Sequence, residues 1–380
     1  MTAAAFCGEW FVFTCDKKLV AIHSKETREP FVFDCSTAEK KPKNTKDDNN
    51  SQGRATEETG SDKVLAFAVS PSGNLVALTD DTKRLALFHC EPSWRFVNIT
   101  WVVRRCTSLV FSQAEDELLV ADKSGDVYSF SVMEPQREGK LMMGHLSMLL
   151  AVTISPDKKY IITADRDEKI RVSHFRSPYV IQSFCLGHQQ FVSALHIPSG
   201  HPHWLLSGSG NPTVCRIISS PDGRHVAVQC ERMSTVQFFT LHKEGEETLV
   251  PHSRLSLPHC PLDMTFDLEG QLWVVMDSSD APLQVYTLRQ STWECNTQNP
   301  DLNRVIEAFM PHWESLEAST RKNNRFEHLY KMGFDNVTEY KQKKQQRLEE
   351  QQLKRTKAQK ANGNKKTKKE ASEALTKPSV

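Results

Sequence analysis

The chain of 380 residues has ten cysteines and no C-x-x-C pair among them. Zinc ribbons and thioredoxin-like sites need two sulfurs brought together by short spacing, so neither is expected. No charged stretch followed by an apolar one opens the sequence, and no apolar run reaches membrane-spanning length. The expectation is free thiols in a reducing compartment, with no membrane partner. The sequons Asn98-Ile99-Thr100 and Asn336-Val337-Thr338 are then chance matches. No G-x-G-x-x-G follows a strand-like run, and Ser207-Gly208-Ser209-Gly210 is not followed by Gly-Lys-Ser/Thr, so no nucleotide or adenosyl cofactor loop is visible. H-E-x-x-H and G-x-S-x-G are also missing. Carboxylates are numerous but sit in turn-like stretches, where Asp bonds its own backbone. No catalytic residue, metal site or cofactor is expected.

What is present is a repeat. One unit reads Gly144-His145, the apolar stretch Leu149 to Ile154, the turn Ser155-Pro156-Asp157, then Tyr160-Ile161-Ile162-Thr163, a polar turn, and Ile170-Arg171-Val172. Each apolar stretch is short, β-branched and bounded by turn residues, which is a strand signal. Gly187-His188 lies forty-three residues after Gly144-His145, and the turn positions Pro71, Gln113, Pro156 and Pro198 are spaced by 42, 43 and 42. A late copy holds Met264-Thr265-Phe266, Leu272-Trp273-Val274-Val275 and Gln284-Val285-Tyr286. Four short strands per period, with no helical pattern between them, describe a propeller blade that buries its faces only against its neighbours.

The units resemble WD repeats, with Ser173-His174 where that family closes on Trp-Asp. The expected fold is an all-β WD-repeat propeller of about seven blades over residues 1–300, followed by a short helical C-terminal extension over 301–360 and a disordered basic tail over 361–380. The resemblance gives His145 and Asp167 structural roles, in a hydrogen-bonded network of each blade. His201 and His203 flank Pro202 in a loop, and metal binding is not expected there. One repeat is short: Pro198 to Pro221 spans only 23 residues. Thr213 to Ile217 aligns as the last strand of one repeat, yet it runs into Ser220-Pro221-Asp222-Gly223, where the next repeat's first strand belongs. About half a blade is missing.

Residues 37–63 are almost free of apolar side chains and read as a disordered loop between the first two blades. Net charge is only +1, yet Lys341 to Lys369 carries about ten net positive charges. Any one of these lysines needs nothing but solvent. The block together suits nucleic-acid contact or nuclear import, and Lys365-Lys366-Thr367-Lys368-Lys369 suits the second. Candidate RNA-contact residues are Lys341, Lys343, Lys344, Arg347, Lys354 and Arg355.

Several blade sequences go beyond the generic repeat. Ala121 to Phe130, Gly144 to Leu149, Thr163 to Val172, Ser183 to His188 and the late Phe334-Asp335-Asn336-Val337-Thr338 resemble the WD-repeat, non-catalytic subunit of the tRNA (guanine-N7)-methyltransferase. The likeness covers roughly residues 60 to 360; the short stretch around 210 to 220 departs from it. It implies a scaffold in a heterodimer: a separate Rossmann-type subunit binds S-adenosylmethionine and does the chemistry, while the propeller supports that partner and helps hold tRNA, largely in the nucleus. The alternative is a substrate receptor of a cullin-type ubiquitin ligase, but Val172-Ser173-His174-Phe175 lacks the Trp-Asp-x-Arg such receptors often carry. Aligning final strands, Val127-Tyr128 against Ile170-Arg171, sets Lys123 opposite Arg166 in equivalent turns. With Glu168 and Lys169 they are the expected partner-binding residues.

Overall fold

The computed structural model describes residues 3–41, 60–242, 248–321 and 326–331, together with 344, 345 and 347. Among these residues are six four-stranded antiparallel sheets and one two-stranded sheet, each built from consecutive strands. They span 3–34, 64–101, 106–144, 149–185, 192–209, 214–256 and 261–295. The fifth is the two-stranded one, so the all-β propeller with one shortened repeat is what forms. All ten cysteines are free thiols, five of them buried. Of the 37–63 stretch, all but 37–41 and 60–63 lies outside the described residues. Residues 331–380 form a separate unit, of which only Lys331, Lys344, Gln345 and Arg347 are described.

The repeat works through its turns. Between the first and second strands, the hydroxyls of Ser70, Ser112, Ser155 and Ser220 each accept from the amide five residues on, at 3.1, 3.2, 2.9 and 3.0 Å. The chain reverses there through Gly73, Glu115, Lys158 and Gly223, all at positive φ between 55° and 74°. Between the second and third strands an aspartate does the same work. Asp80 accepts from the amides of Thr82 and Arg84, Asp122 from Ser124 and Asp126, and Asp165 from Lys169, at 2.8 to 3.1 Å. In a four-stranded antiparallel blade these second-to-third turns and the links between blades emerge at one face, here called upper. The first-to-second turns emerge at the lower face.

The inner strands Ala3–Cys7, Val64–Val69, Cys106–Phe111, Leu149–Ile154, Val192–His196, Val214–Ser219 and Pro261–Phe266 each neighbour the next, and the last neighbours the first, so the ring closes. Among the described residues no strand is shared between the first and last blades to lock it. Instead the Asp263 carboxylate accepts from the Ala4 amide at 2.7 Å and pairs with Arg216 at 3.6 Å, while Arg216 also donates to the Ala4 carbonyl at 3.3 Å. Three blades meet in that one cluster.

A helical clasp reinforces the seam. Helix α1 (Pro300–Phe309) starts with Pro in its first turn and is capped by Asn299, whose side chain accepts from the amides of Asp301 and Leu302 at 2.8 and 3.1 Å. Leu302, Val305 and Phe309 of α1, with Trp313 and Leu316 of α2 (Trp313–Arg321), share one buried cluster with Phe13 and Val20 of the first blade and Trp273, Val275 and Val285 of the last. At its lower end Lys25 bridges Glu269 and Asp301 at 2.6 and 2.9 Å, and Arg304 donates to the Ser24 carbonyl at 2.7 Å. Donating to these two carboxylates holds the Lys25 ammonium well above its ordinary pKa.

The fifth blade keeps only Val192–His196 and Leu206–Ser209. In place of its outer strands, the 197–205 loop folds over, with His201 buried and its ring 5.4 Å from Trp204. Val214–Ser219 is the inner strand of the sixth blade, which settles the doubly aligned segment in favour of the following repeat. The join is tight: a Cβ built on Gly208 would come within 2.5 Å of the Val214 side chain.

If α1 is the clasp, Phe309→Ala, which empties a fully buried site beside Phe13, should destabilise the propeller by about 3–5 kcal/mol in urea unfolding. The exposed neighbour change Glu307→Ala should stay within about 0.5 kcal/mol.

Candidate partner and nucleic-acid surface

The sequence-derived site residues of the blades fall on the upper face. Lys123 follows Asp122 in the second-to-third turn of the third blade, and Arg166 follows Asp165 in that of the fourth. Topology therefore brings Lys123 and Arg166 to equivalent turns of adjacent blades. Lys123 is exposed and its amide donates to the Arg105 carbonyl of the neighbouring link at 3.1 Å. Arg166 is half-buried; its amide donates to Met148 at 2.9 Å, and its Nε donates to the Leu329 carbonyl at 3.1 Å. Glu168 takes φ 72°, the left-handed conformation that closes the turn, and the exposed Lys169 ammonium donates to the Asp167 carbonyl at 3.2 Å. The links on either side of this turn carry Leu146, fully exposed, and Leu186, largely exposed, with Phe184 at the end of the strand before it.

The histidine network differs from expectation in one residue. His145 Nε2 bonds Thr163 at 2.8 Å and its Nδ1 bonds Asp165 at 3.4 Å; Asp167 is not its partner. Asp165 sits at the strand end, buried, whereas Asp167 lies two residues further round the turn and is half-buried. Burial opposes ionisation of Asp165, but the His145 hydrogen bond and the Lys169 amide outweigh it and hold its carboxyl below the usual range. In the second Gly-His unit, His188 bonds Ser207 at 2.8 Å.

The sequence places apolar residues in the C-terminal extension, Phe326, Leu329 and Tyr330 among them, as short helices packed beside the ring. Residues Phe326 to Tyr330 pack back onto the upper face at the shortened blade. The Phe326 ring stacks on Phe191 with centroids 6.1 Å apart and planes at 13°, and Tyr330 meets Phe191 edge-on at 5.1 Å. The Tyr330 and Thr213 hydroxyls share a hydrogen bond of 2.6 Å. Phe326 and Leu329 are buried with Phe191, against Met148, Leu150 and Cys215. Of the basic residues singled out beyond it, Lys344 and Arg347 are helical and exposed, while Lys341, Lys343, Lys354 and Arg355 lie outside the described residues.

A cleft of about 500 Å³ opens at the lower face between the last two blades, lined by Ser220, Asp222, His225, Glu269, Thr287 and Trp293 among others. Its serine is spent on the turn: Ser220 donates to Asp222 and accepts from the His225 amide. Among the described residues no cluster of three or more His, Cys, Asp or Glu could hold a metal ion.

Residues 14–139 and 131–217 match the family described as the tRNA methyltransferase TRM82 WD40 domain. The chain is 52% identical over 400 residues, covering 97% of it and 96% of the relative, to the tRNA (guanine-N(7)-)-methyltransferase non-catalytic subunit wdr4 of Danio rerio. It is 39% identical to the Mus musculus WDR4 subunit of the same name, covering 90% of each chain, and 38% identical to that of Homo sapiens, covering 89% of each. A chain from a crystal structure of the mitotic checkpoint complex shares the fold at a TM-score of 0.59 and 12% identity, covering 75% of this chain and 88% of that one.

Asp165→Asn should cost about 1.5–3 kcal/mol in urea unfolding at neutral pH, the worth of hydrogen bonds to a charged group. Because the folded carboxyl of Asp165 is held low, its contribution is present above the ordinary carboxylate range and lost as pH falls through the folded value. The gap between wild type and Asp165→Asn should therefore narrow on acidification; a gap that widens would contradict the assignment.

Proposed function

Because the chain belongs to the family of WD-repeat non-catalytic subunits of tRNA (guanine-N7)-methyltransferase, we propose that its upper face around the third and fourth blades docks the catalytic subunit, as one half of a heterodimer, and that its basic C-terminal segment helps hold tRNA there. The protein is the scaffold of that activity and not the enzyme. One observation carries the reading of the face. Cations and exposed apolar side chains converge on a single rim: Lys123, Arg166 and Lys169 beside Leu146, Leu186 and Phe184. Stable interfaces combine an apolar centre with a polar rim in this way. Glu168 adds an acidic group to the same turn. The catalytic subunit brings S-adenosylmethionine; the propeller brings rigidity, since its turns are pinned by the aspartate hydrogen bonds at their base.

For tRNA, Lys341, Lys343, Lys344, Arg347, Lys354 and Arg355 supply phosphate contacts that position RNA without reading sequence. The Lys365-Lys366-Thr367-Lys368-Lys369 cluster supports a nuclear location. Among the described residues no helix is long and apolar enough to cross a membrane.

Two measurements test this. Lys123→Glu with Arg166→Glu should weaken binding of the catalytic subunit at least tenfold, about 1.4 kcal/mol, with circular dichroism unchanged. A folded double variant that pairs at wild-type affinity would move the interface elsewhere. Deleting residues 341–380 should weaken tRNA binding by the heterodimer and flatten its salt dependence, by roughly 0.7–0.9 in log–log slope per lost contact, while leaving the subunits paired. An unchanged slope would remove the tail from the RNA surface.

A further inference from the structure

Resting on that reading of the rim and the tail, we propose that Phe326–Tyr330 is an anchor whose role is to fix where the RNA-holding segment begins. The segment starts beside Arg166, at the rim that docks the catalytic subunit. Phe326 and Tyr330 are thus positioning residues for the methylation reaction.

The geometry supplies the reason. After α2 the described residues return to the propeller through three separate fastenings: the Phe326–Phe191 stack, the Tyr330–Thr213 hydroxyl pair and the Arg166–Leu329 hydrogen bond. They draw on the turn of the fourth blade, the shortened fifth and the start of the sixth. Helix α2, by contrast, buries Trp313 and Leu316 against the seam between the first and last blades, at another part of the ring. With the anchor in place, the basic segment begins eleven residues from a fixed point, Tyr330 to Lys341. Without it, the preceding described element is helix α2, which ends at Arg321, twenty residues from Lys341, and the origin moves to the seam.

A tethered binding element acts at an effective concentration that falls roughly as the −3/2 power of tether length. Lengthening the tether from eleven to twenty residues lowers it about two- to threefold, and the displaced origin lowers it further. The number of phosphate contacts does not change, so the anchor sets the affinity without setting its salt dependence.

The anchor bridges two neighbouring blades: Phe191 leads into the inner strand of the fifth and Thr213 into that of the sixth, and those inner strands stand side by side, so one pentapeptide reaches both.

The test uses the full-length heterodimer and an unmodified tRNA transcript. It compares wild type, Phe326→Ala with Tyr330→Ala, and the milder Tyr330→Phe, each with and without residues 341–380. The double variant is expected to bind RNA at least twofold more weakly with an unchanged log–log salt slope. It should keep its catalytic partner, and it should make no difference to RNA affinity once residues 341–380 are gone. Tyr330→Phe, which keeps the ring and loses only the hydroxyl, should show a smaller loss of the same kind and guards against a folding artefact. An equal loss with and without the tail would mean that the pentapeptide acts through the propeller itself, and would overturn the proposal. So would full RNA affinity in the double variant when tail deletion does weaken binding; the tail would then still hold RNA, with no help from the anchor. If deleting the tail changes nothing, the reading of the tail fails first and the anchor with it.

Discussion

A propeller blade is a sheet with two apolar faces and no way to bury either by itself, so every blade depends on an unbroken ring. Here the ring closes between Ala3–Cys7 and Pro261–Phe266, with no strand shared between the first and last blades among the described residues. The seam rests on side chains instead. Asp263 and Arg216 tie the backbone of Ala4 into the sixth and seventh blades. The apolar face of α1 fills the groove that a shared strand would otherwise stiffen. Helix and ion cluster are complementary: the first excludes water from the seam, and the second satisfies an edge amide that would otherwise be left unpaired. The rigidity of the upper face, on which its proposed use as a docking surface depends, is downstream of that closure.

The shortened fifth blade shows how far one unit can be reduced. Its inner strand remains, so the ring is complete where inner strands meet. The cost falls on the outside, where two strands' worth of cover is gone. The 197–205 loop, through Trp204 and the buried His201, replaces part of it, and Phe326 and Leu329 replace another part over Phe191.

Much of this was legible in the sequence because the repeat is enforced at its turns. The Ser-Pro and aspartate positions recur every forty-two or forty-three residues, since each serine or aspartate satisfies the same backbone amides in each blade. The break between Pro198 and Pro221 was equally plain, and only the ownership of Thr213 to Ile217 needed coordinates. The histidine's partner was misassigned between two aspartates two residues apart. Residue type cannot separate Asp165 from Asp167, but register can: Asp80, Asp122 and Asp165 keep the period and Asp167 does not. The anchor's docking site was beyond reach for a different reason. Arg166 and Leu329 are 163 residues apart, and a non-repeating segment docked on a non-repeating site leaves no periodic trace.

Function then follows from which parts of the ring are free to vary. Serines and aspartates at the turn bases are committed to the fold, whereas Lys123, Lys169, Leu146 and Leu186 at the tips are not needed by it. Their convergence on one face is what the proposed docking surface rests on. Amide hydrogen exchange of the protein with and without the catalytic subunit tests this most directly. Slowed exchange confined to the upper turns and links, residues 121–126, 144–149, 163–170 and 184–191, is the predicted result. Protection concentrated instead on the lower turns, residues 70–75, 112–117, 155–160 and 220–225, would contradict it.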